Sequence, residues 1–264
     1  FQVDLTSVRQ SHDINTIEES ISKYEIEFEC MIKDKKTIMD EIFNIAEFII
    51  KIIQNSNFII SKNITEQVVD AYKNIFSSNK FYGRNVVSLG INNVVDELPN
   101  KYCVSDKADG ERNELIVYNE NCYLINSNFI VKNIGISVNK KYNGSILDGE
   151  LLFIPKYNKY LFMVFDCLIL GTNNIREEPR LMSRLNKADE LLNEIYNNHF
   201  DYDITGINVN NMQEVLKYHK DKLFKLYDTI DKELQKSKNS MIIRRKYFIE
   251  PFGTTDTEVF NYSK

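Results

Sequence analysis

Apolar and polar residues alternate in two stretches at the start of the chain. In residues 2–9, Val3, Leu5 and Ser7 alternate with Asp4, Thr6 and Val8, and residues 24–30 alternate again. Each reads as a strand, and the run between them, rich in Ser, Asp, Asn and Glu, reads as a polar loop. From 37 to 55 the period changes: Ile38, Ile42, Ile45, Ile49 and Ile53 recur at helical spacing, and Phe43 and Phe48 widen the stripe. A second helix is expected over 65–77, with Thr65 as its cap. Residues 78–100 contain Gly83, Gly90 and Pro99 and read as a loop-rich entry to a second core. Short apolar, β-branched and aromatic runs follow at 102–105, 114–118, 122–126, 146–153 and 160–169, with a hairpin turn at 119–121. They predict an antiparallel or mixed sheet. Pro179 opens a helix of about 18 residues with Leu181, Leu185, Ala188, Leu192 and Ile195 on one face. A further helix is expected near 211–237, and a last strand over 242–252, ended by Pro251 and Gly253.

This order of elements is that of an α+β chain with two domains, divided at 60, and the length of 264 residues allows two cores. A hydrophobic fraction of 43% with 27% charged residues excludes a disordered or collagen-like chain. Net charge is 33 minus 38, or −5, so any contact with nucleic acid must be local rather than a global basic footprint. Cys30, Cys103, Cys122 and Cys167 form no CxxC pair, and no secretory leader opens the chain. They read as reduced thiols of an intracellular protein. The most apolar run, 42–53, is interrupted by Asn44, Glu47 and Lys51 and falls short of the roughly 20 residues that span a bilayer. It reads as a buried helix. Opening on Phe1 rather than Met, the chain reads as a piece of a longer protein. His12, His199 and His219 have no ligand spacing.

The candidate chemistry lies in three segments. Asp106-Lys107-Ala108-Asp109-Gly110-Glu111-Arg112 separates two strands, which puts Lys107 at a strand edge that a substrate can reach. A lysine attacks only when neutral, a state that burial or a nearby cation favours. Asp109 and Arg112 are placed to position a ribose or a phosphate, Arg112 through its fork of donors. Taken alone, the segment reads equally as a charged turn with Gly110 at positive φ. The second segment, Ile146-Leu147-Asp148-Gly149-Glu150-Leu151-Leu152, sets two carboxylates in an apolar strand, where they need partners. The third, 160–168, repeats the pattern with Asp166.

In this order and spacing, KADGER, LDGE and FD resemble motifs I, III and IIIa of the covalent nucleotidyltransferases, the superfamily of capping guanylyltransferases and ATP-dependent DNA and RNA ligases. The resemblance implies a ligase-type antiparallel sheet domain, ATP-grasp-like in outline. It also implies a two-step reaction in which Lys107 attacks the α-phosphorus of a nucleotide, expels pyrophosphate with Mg²⁺ or Mn²⁺, and passes the nucleotide to a nucleic-acid end. By matching motifs, Lys107 is the nucleophile, with Asp109, Gly110, Arg112, Glu150 and Asp166 at the nucleotide. Arg112 and Glu150 fall at the ribose, and Phe162 or Phe165 stacks on the base; core packing is the competing role for both rings. The later acidic-glycine segment and Lys-x-Lys pair of the superfamily do not occur before the chain ends.

The amino-terminal strands bear on which branch applies. Phe1-Gln2-Val3-Asp4-Leu5-Thr6-Ser7-Val8 and Tyr24-Glu25-Ile26-Glu27-Phe28-Glu29 look like the closing strands of a triphosphate-tunnel RNA 5′-triphosphatase, the type of fungi and large DNA viruses. Glu25, Glu27 and Glu29 at i, i+2 and i+4 share one face of a strand, an arrangement suited to Mg²⁺ or Mn²⁺. The competing reading is a solvent-facing strand whose acids protect an edge. The order triphosphatase (1–60) then guanylyltransferase (61–264) resembles that of large DNA virus mRNA-capping enzymes. It implies GTP as substrate, the 5′ end of nascent RNA as acceptor, a cap methyltransferase as a further domain or subunit, no membrane, and a cytoplasmic viral factory or the virion as location. The two strands are expected to pair antiparallel, with Asp4 and Thr6 near the glutamate face. An ATP-dependent ligase and a non-catalytic binding module with the same fold are the alternatives.

Overall fold

The computed structural model describes residues 2–29, 35–83, 105, 107–195, 212–238 and 241–246. The chain divides into two compact units, Phe1–Asn55 and Ser56–Lys264. The division falls just ahead of residue 60 for a local reason. Helix α1 (Lys35–Gln54) ends at Asn55, whose φ of 45° is left-handed. The Ser56 hydroxyl then donates to the carbonyls of Phe58 and Asn133, and a Cβ on Gly135 would lie 2.2 Å from the Phe58 ring. Residues 56–60 are thereby tied to the second unit.

In the first unit, β1 (Gln2–Val8) pairs antiparallel with β2 (Lys23–Glu29). Asp4 lies opposite Glu27 and Thr6 opposite Glu25, the pairing that the alternation suggests. The strands form a two-stranded sheet, and no closed barrel is present among the described residues. Helix α1 is not the buried helix that its isoleucines predict. Phe43, Phe48, Ile52 and Ile53 are exposed, and none of the unit's described side chains is buried. A hairpin and one helix offer too little surface to enclose a core.

The second unit holds the core. Helix α2 (Lys62–Phe76) begins ahead of Thr65 because Ser61 is its cap, the hydroxyl accepting from Ile64 N–H, and Ser77 ends it at a left-handed φ of 48°. A sheet follows with strand order β5-β4-β3-β6-β7-β8: β3 (Glu111–Tyr118), β4 (Asn121–Asn126), β5 (Val131–Ser137), β6 (Ile146–Ile154), β7 (Lys159–Leu170) and β8 (Asn173–Asn174). Asn119 and Glu120, both at positive φ, make the two-residue β3–β4 turn. Helices α3 (Leu181–Ile195) and α4 (Met212–Lys236) precede β9 (Met241–Arg245). β9 joins β7 in parallel, so the sheet is mixed rather than antiparallel throughout. The strand expected at 102–105 lies almost wholly outside the described residues, as does the expected continuation of β9 to 252.

The two faces of the sheet are covered differently. Leu115, Val117, Leu124, Leu147, Phe162 and Val164 pack with Ala188, Leu191 and Leu192 of α3. On the other face, Ile116, Ile125 and Ile146 pack under Val68 and Tyr72 of α2, while Leu161, Met163 and Ile242 pack under Ile230 and Leu234 of α4. Each such buried side chain contributes about 1.5–3 kcal/mol. Along β6 the consequence is direct. Ile146 belongs to the α2 cluster and Leu152 and Ile154 to the α4 cluster, and between them on the same face stand Asp148 and Glu150. The acids occupy the interval that neither apolar cluster fills.

Candidate active site

The β3–β6 register brings the first two motifs together. Arg112 lies opposite Glu150 and Glu114 opposite Asp148, and all four share the face of Ile116 and Ile146. Arg112 donates to both carboxylate oxygens of Asp148, at 3.1 and 2.5 Å. Its guanidinium also lies close to Gly83, where a Cβ would come within 2.8 Å of it. Burial pushes Asp148 up to about 6 even though Arg112 opposes the shift, and the hydrogen bond to Asp148 raises Arg112 further. Asp148 is therefore an anchor for Arg112, buried beneath it.

Glu150 serves the loop. One of its oxygens accepts from Gly110 N–H at 2.8 Å, fixing the start of β3 against β6. Gly110 is required by close approach and not by a positive φ: a Cβ there would lie 2.5 Å from the Leu151 carbonyl oxygen. Gly149 is required for the same kind of reason, since a Cβ would meet the Phe162 ring at 2.5 Å. The loop so held presents Lys107 outward. Its side chain is 90% exposed, with the ammonium 3.8 Å from an equally accessible Asp109 carboxylate.

The third motif separates into two roles. Phe162 is fully buried on the α3 face and fills the core beneath Gly149. Phe165 differs because the β6–β7 register slips: Asp148 pairs with Asp166 but Gly149 pairs with Val164, so Phe165 is the extra residue of a bulge. A bulge re-aims a side chain. The half-buried ring lies 5.7 Å from the Arg112 guanidinium carbon, at the edge of the same cluster. Asp166 is held elsewhere. Arg184 of α3 donates to both of its oxygens, at 2.7 and 3.1 Å, and Cys167 N–H donates to one of them at 2.8 Å.

Several residues of this region were not singled out by their sequence. Glu114 is fully buried, and its acidity is suppressed by burial and by Asp148, which push it up to about 9. Tyr72 of α2 faces it, with its hydroxyl accepting from Tyr82 N–H at 2.8 Å. Beyond β9, Lys246 is buried and its N–H donates to the Val164 carbonyl, one residue from Phe165. Arg244 pairs with Glu233 and Arg245 with Asp189, which ties β9 to α4 and α3. Each is a polar or charged residue whose role is legible only once its partner in the fold is known.

Glu25, Glu27 and Glu29 all lie exposed on β2. Among the described residues, no three His, Cys, Asp or Glu side chains are grouped closely enough to hold a metal ion.

The family model described as mRNA capping enzyme, catalytic domain, matches residues 29–246. The chain belongs to the mRNA capping enzyme catalytic-domain family. A probable mRNA-capping enzyme of Acanthamoeba polyphaga mimivirus is 31% identical over 271 residues, which cover 99% of this chain. The chain spans 23% of that relative's length. The family match takes in the Lys107 loop, β3, β6 and β7, so the capping-enzyme catalytic domain is the setting of the cluster described above. Hairpin β1–β2 lies almost entirely ahead of the match, although the mimivirus relative extends over it. No described helix of this capping-enzyme domain is long and apolar enough to cross a membrane.

Proposed function

We propose that this chain carries the nucleotide-accepting site of an mRNA guanylyltransferase. The observation that carries the reading is the exposed Lys107 on a loop pinned by Glu150 beside the Arg112–Asp148 pair. In the first step the neutral Lys107 amine attacks the α-phosphorus of GTP. An N–P bond forms, the bond to the β-phosphate oxygen breaks, pyrophosphate leaves, and the amine loses its proton to solvent. In the second step a terminal oxygen of a 5′-diphosphate RNA attacks the same phosphorus, the N–P bond breaks, and Lys107 takes back a proton. Arg112, its guanidinium held by Asp148 and about a third exposed, orients the ribose or a phosphate. Glu150 positions both the loop and the ribose, Asp109 and Gly110 shape the approach, and Phe165 offers its ring to the base. Phe162 supports that strand from the core side, and Asp166 fixes it to α3.

A Mg²⁺ or Mn²⁺ ion screens a triphosphate when bound to it, and in this reading it enters with GTP. The product of transfer is a substrate for a cap methyltransferase, either a further domain or a separate subunit. The viral relative supports a viral factory or the virion as the place of action. Residues 1–60 form a second part of the proposal, as the closing part of an RNA 5′-triphosphatase tunnel. Its support is the observed pairing that sets Glu25 and Glu27 across from Thr6 and Asp4. Metal chemistry there requires acidic residues beyond the described hairpin.

The test is labelling of the full-length protein with α-labelled GTP or α-labelled ATP. The reading expects a stable protein–nucleotide adduct with GTP and not with ATP. An ATP-only adduct identifies a ligase, and no adduct with either identifies a binding module.

A further inference from the structure

Both side-chain oxygens of Glu114 are buried without a hydrogen bond of ordinary geometry, and the donor that faces them is the Tyr72 hydroxyl. Glu114 lies in the middle of β3, directly across from Asp148, with Ile125 of β4 on its other side. The charged and titratable groups that face it are Asp148 from β6, Tyr72 from α2 and Arg112 from its own strand. Arg112 is already engaged by both oxygens of Asp148, while the Tyr72 hydroxyl, which accepts from Tyr82 N–H, can give Glu114 only its single proton. A second carboxylate charge here would face Asp148 across the ladder, with one guanidinium between two anions.

We propose that Glu114 is a positioning residue of the nucleotide site, acting on Arg112 through Asp148 as a neutral carboxylic acid. This inference rests on the reading of Arg112 as a nucleotide contact. While Glu114 is neutral, Arg112 and Asp148 form a pair of zero net charge, and the partly exposed guanidinium holds its position for the nucleotide. When Glu114 loses its proton, the buried cluster becomes anionic. Asp148 and Glu114 then compete for the same guanidinium and draw it inward, away from the nucleotide. Burial and the neighbouring carboxylate, which together push Glu114 up to about 9, place that change above neutral pH.

The test compares wild-type full-length protein with Glu114→Gln, which keeps the shape and fixes the neutral state, and with Glu114→Met, which fixes neutrality without a polar end. The rate of lysyl-nucleotide formation from GTP is measured from about pH 7 to pH 10. Taking the variant-to-wild-type ratio cancels the titration of the nucleophile itself. The ratio should stay near 1 at neutral pH and rise to about tenfold one pH unit above the Glu114 titration, where about a tenth of it remains neutral. Rates are taken per folded protein, because loss of wild-type stability at high pH would raise the ratio without any positioning role. Equal profiles at all pH values, or a tenfold loss in Glu114→Gln already at neutral pH, would overturn the proposal.

A second readout does not need the adduct. Because its folded value lies above the unfolded one, Glu114 contributes stability that is full below about pH 4.5 and is lost as pH rises through about 9. The denaturation free energy of wild type should fall over that window relative to Glu114→Gln. If this slope appears but wild type forms no adduct, the nucleophile reading has failed and the positioning role falls with it. If the slope is absent, Glu114 is not the neutral acid proposed, whatever the adduct does.

Discussion

Asp166 decides between two readings of the third motif, and Asp166→Asn separates them. The substitution keeps one oxygen for Cys167 N–H, which now sits at 2.8 Å, and keeps the volume of the side chain. It removes the countercharge of Arg184, a residue only 2% exposed and bonded to both Asp166 oxygens. A stranded buried guanidinium costs about 3–5 kcal/mol. In a unit of this size each kcal/mol lowers Tm by about 2–4 °C, so a fall on the order of 10 °C is expected. Adding Arg184→Met removes the second charge. Besides the ion pair, that double variant gives up the Arg184 bond to the Glu178 carbonyl, at 2.8 Å and about 1 kcal/mol. It should recover about 2 kcal/mol or more of the loss, a positive coupling in a double-mutant cycle. Chemical denaturation with unchanged m-value provides the comparison, alongside lysyl-nucleotide formation on the folded fraction. If Asp166→Asn melts like wild type but forms no adduct, Asp166 is a nucleotide contact and the anchoring argument is wrong.

Four further outcomes follow from the same geometry. Gly149→Ala should lose about 1–3 kcal/mol, because its methyl enters the Phe162 ring; a variant as stable as wild type by denaturation would show that the ring has room to move. Glu150→Gln still offers an oxygen to Gly110 N–H, so its stability should stay within about 0.5 kcal/mol of wild type while the adduct rate falls at least about tenfold. A matching loss of both would assign Glu150 to folding alone. Burial pushes the Cys122 thiol up to about 12 and Cys167 upward as well, so neither should react with a thiol reagent until denaturant is added, as peptide mapping of the modified protein can check. Glu27→Ala with Glu29→Ala should leave the Lys107 adduct intact but abolish metal-dependent release of the RNA γ-phosphate from the full-length protein; retained release would exclude the triphosphatase part of the proposal.

What the sequence disclosed was set by how regular each element is. The β6 and β7 runs and the stripe of α3 are visible because apolar residues recur over most of each element. Strand β5 escaped notice because Lys132, Asn133 and Gly135 interrupt Val131–Ser137, and its pairing with β4 is itself irregular. The α2 start was misplaced because Ser61 and Thr65 are both chemically competent caps, and only the Ser61 hydroxyl reaches Ile64 N–H. Lys107, Arg112, Asp148 and Glu150 are grouped by the resemblance of KADGER and LDGE to the nucleotidyltransferase motifs, and the β3–β6 register brings the last three of them together. Phe162 and Phe165 were not separable, since one inserted residue at the β7 bulge changes the phase of the strand and no residue type announces it. Glu114 is hidden for the opposite reason: in Glu111–Tyr118 it is the last of four consecutive polar residues, a run that suits an open edge, and only pairing on both sides buries it. The exposed apolar residues of α1 show the limit of periodicity, which identifies a helix without supplying what covers it.

The most direct test of the central claim is to locate the bound nucleotide. Full-length protein is incubated with α-labelled GTP and divalent metal, digested, and the labelled peptide is sequenced by mass spectrometry. The account predicts GMP joined through an acid-labile N–P bond to Lys107 and no label in Lys107→Arg, whose always-charged guanidinium has no lone pair to offer. GMP on any other residue, or undiminished labelling of Lys107→Arg, would contradict it.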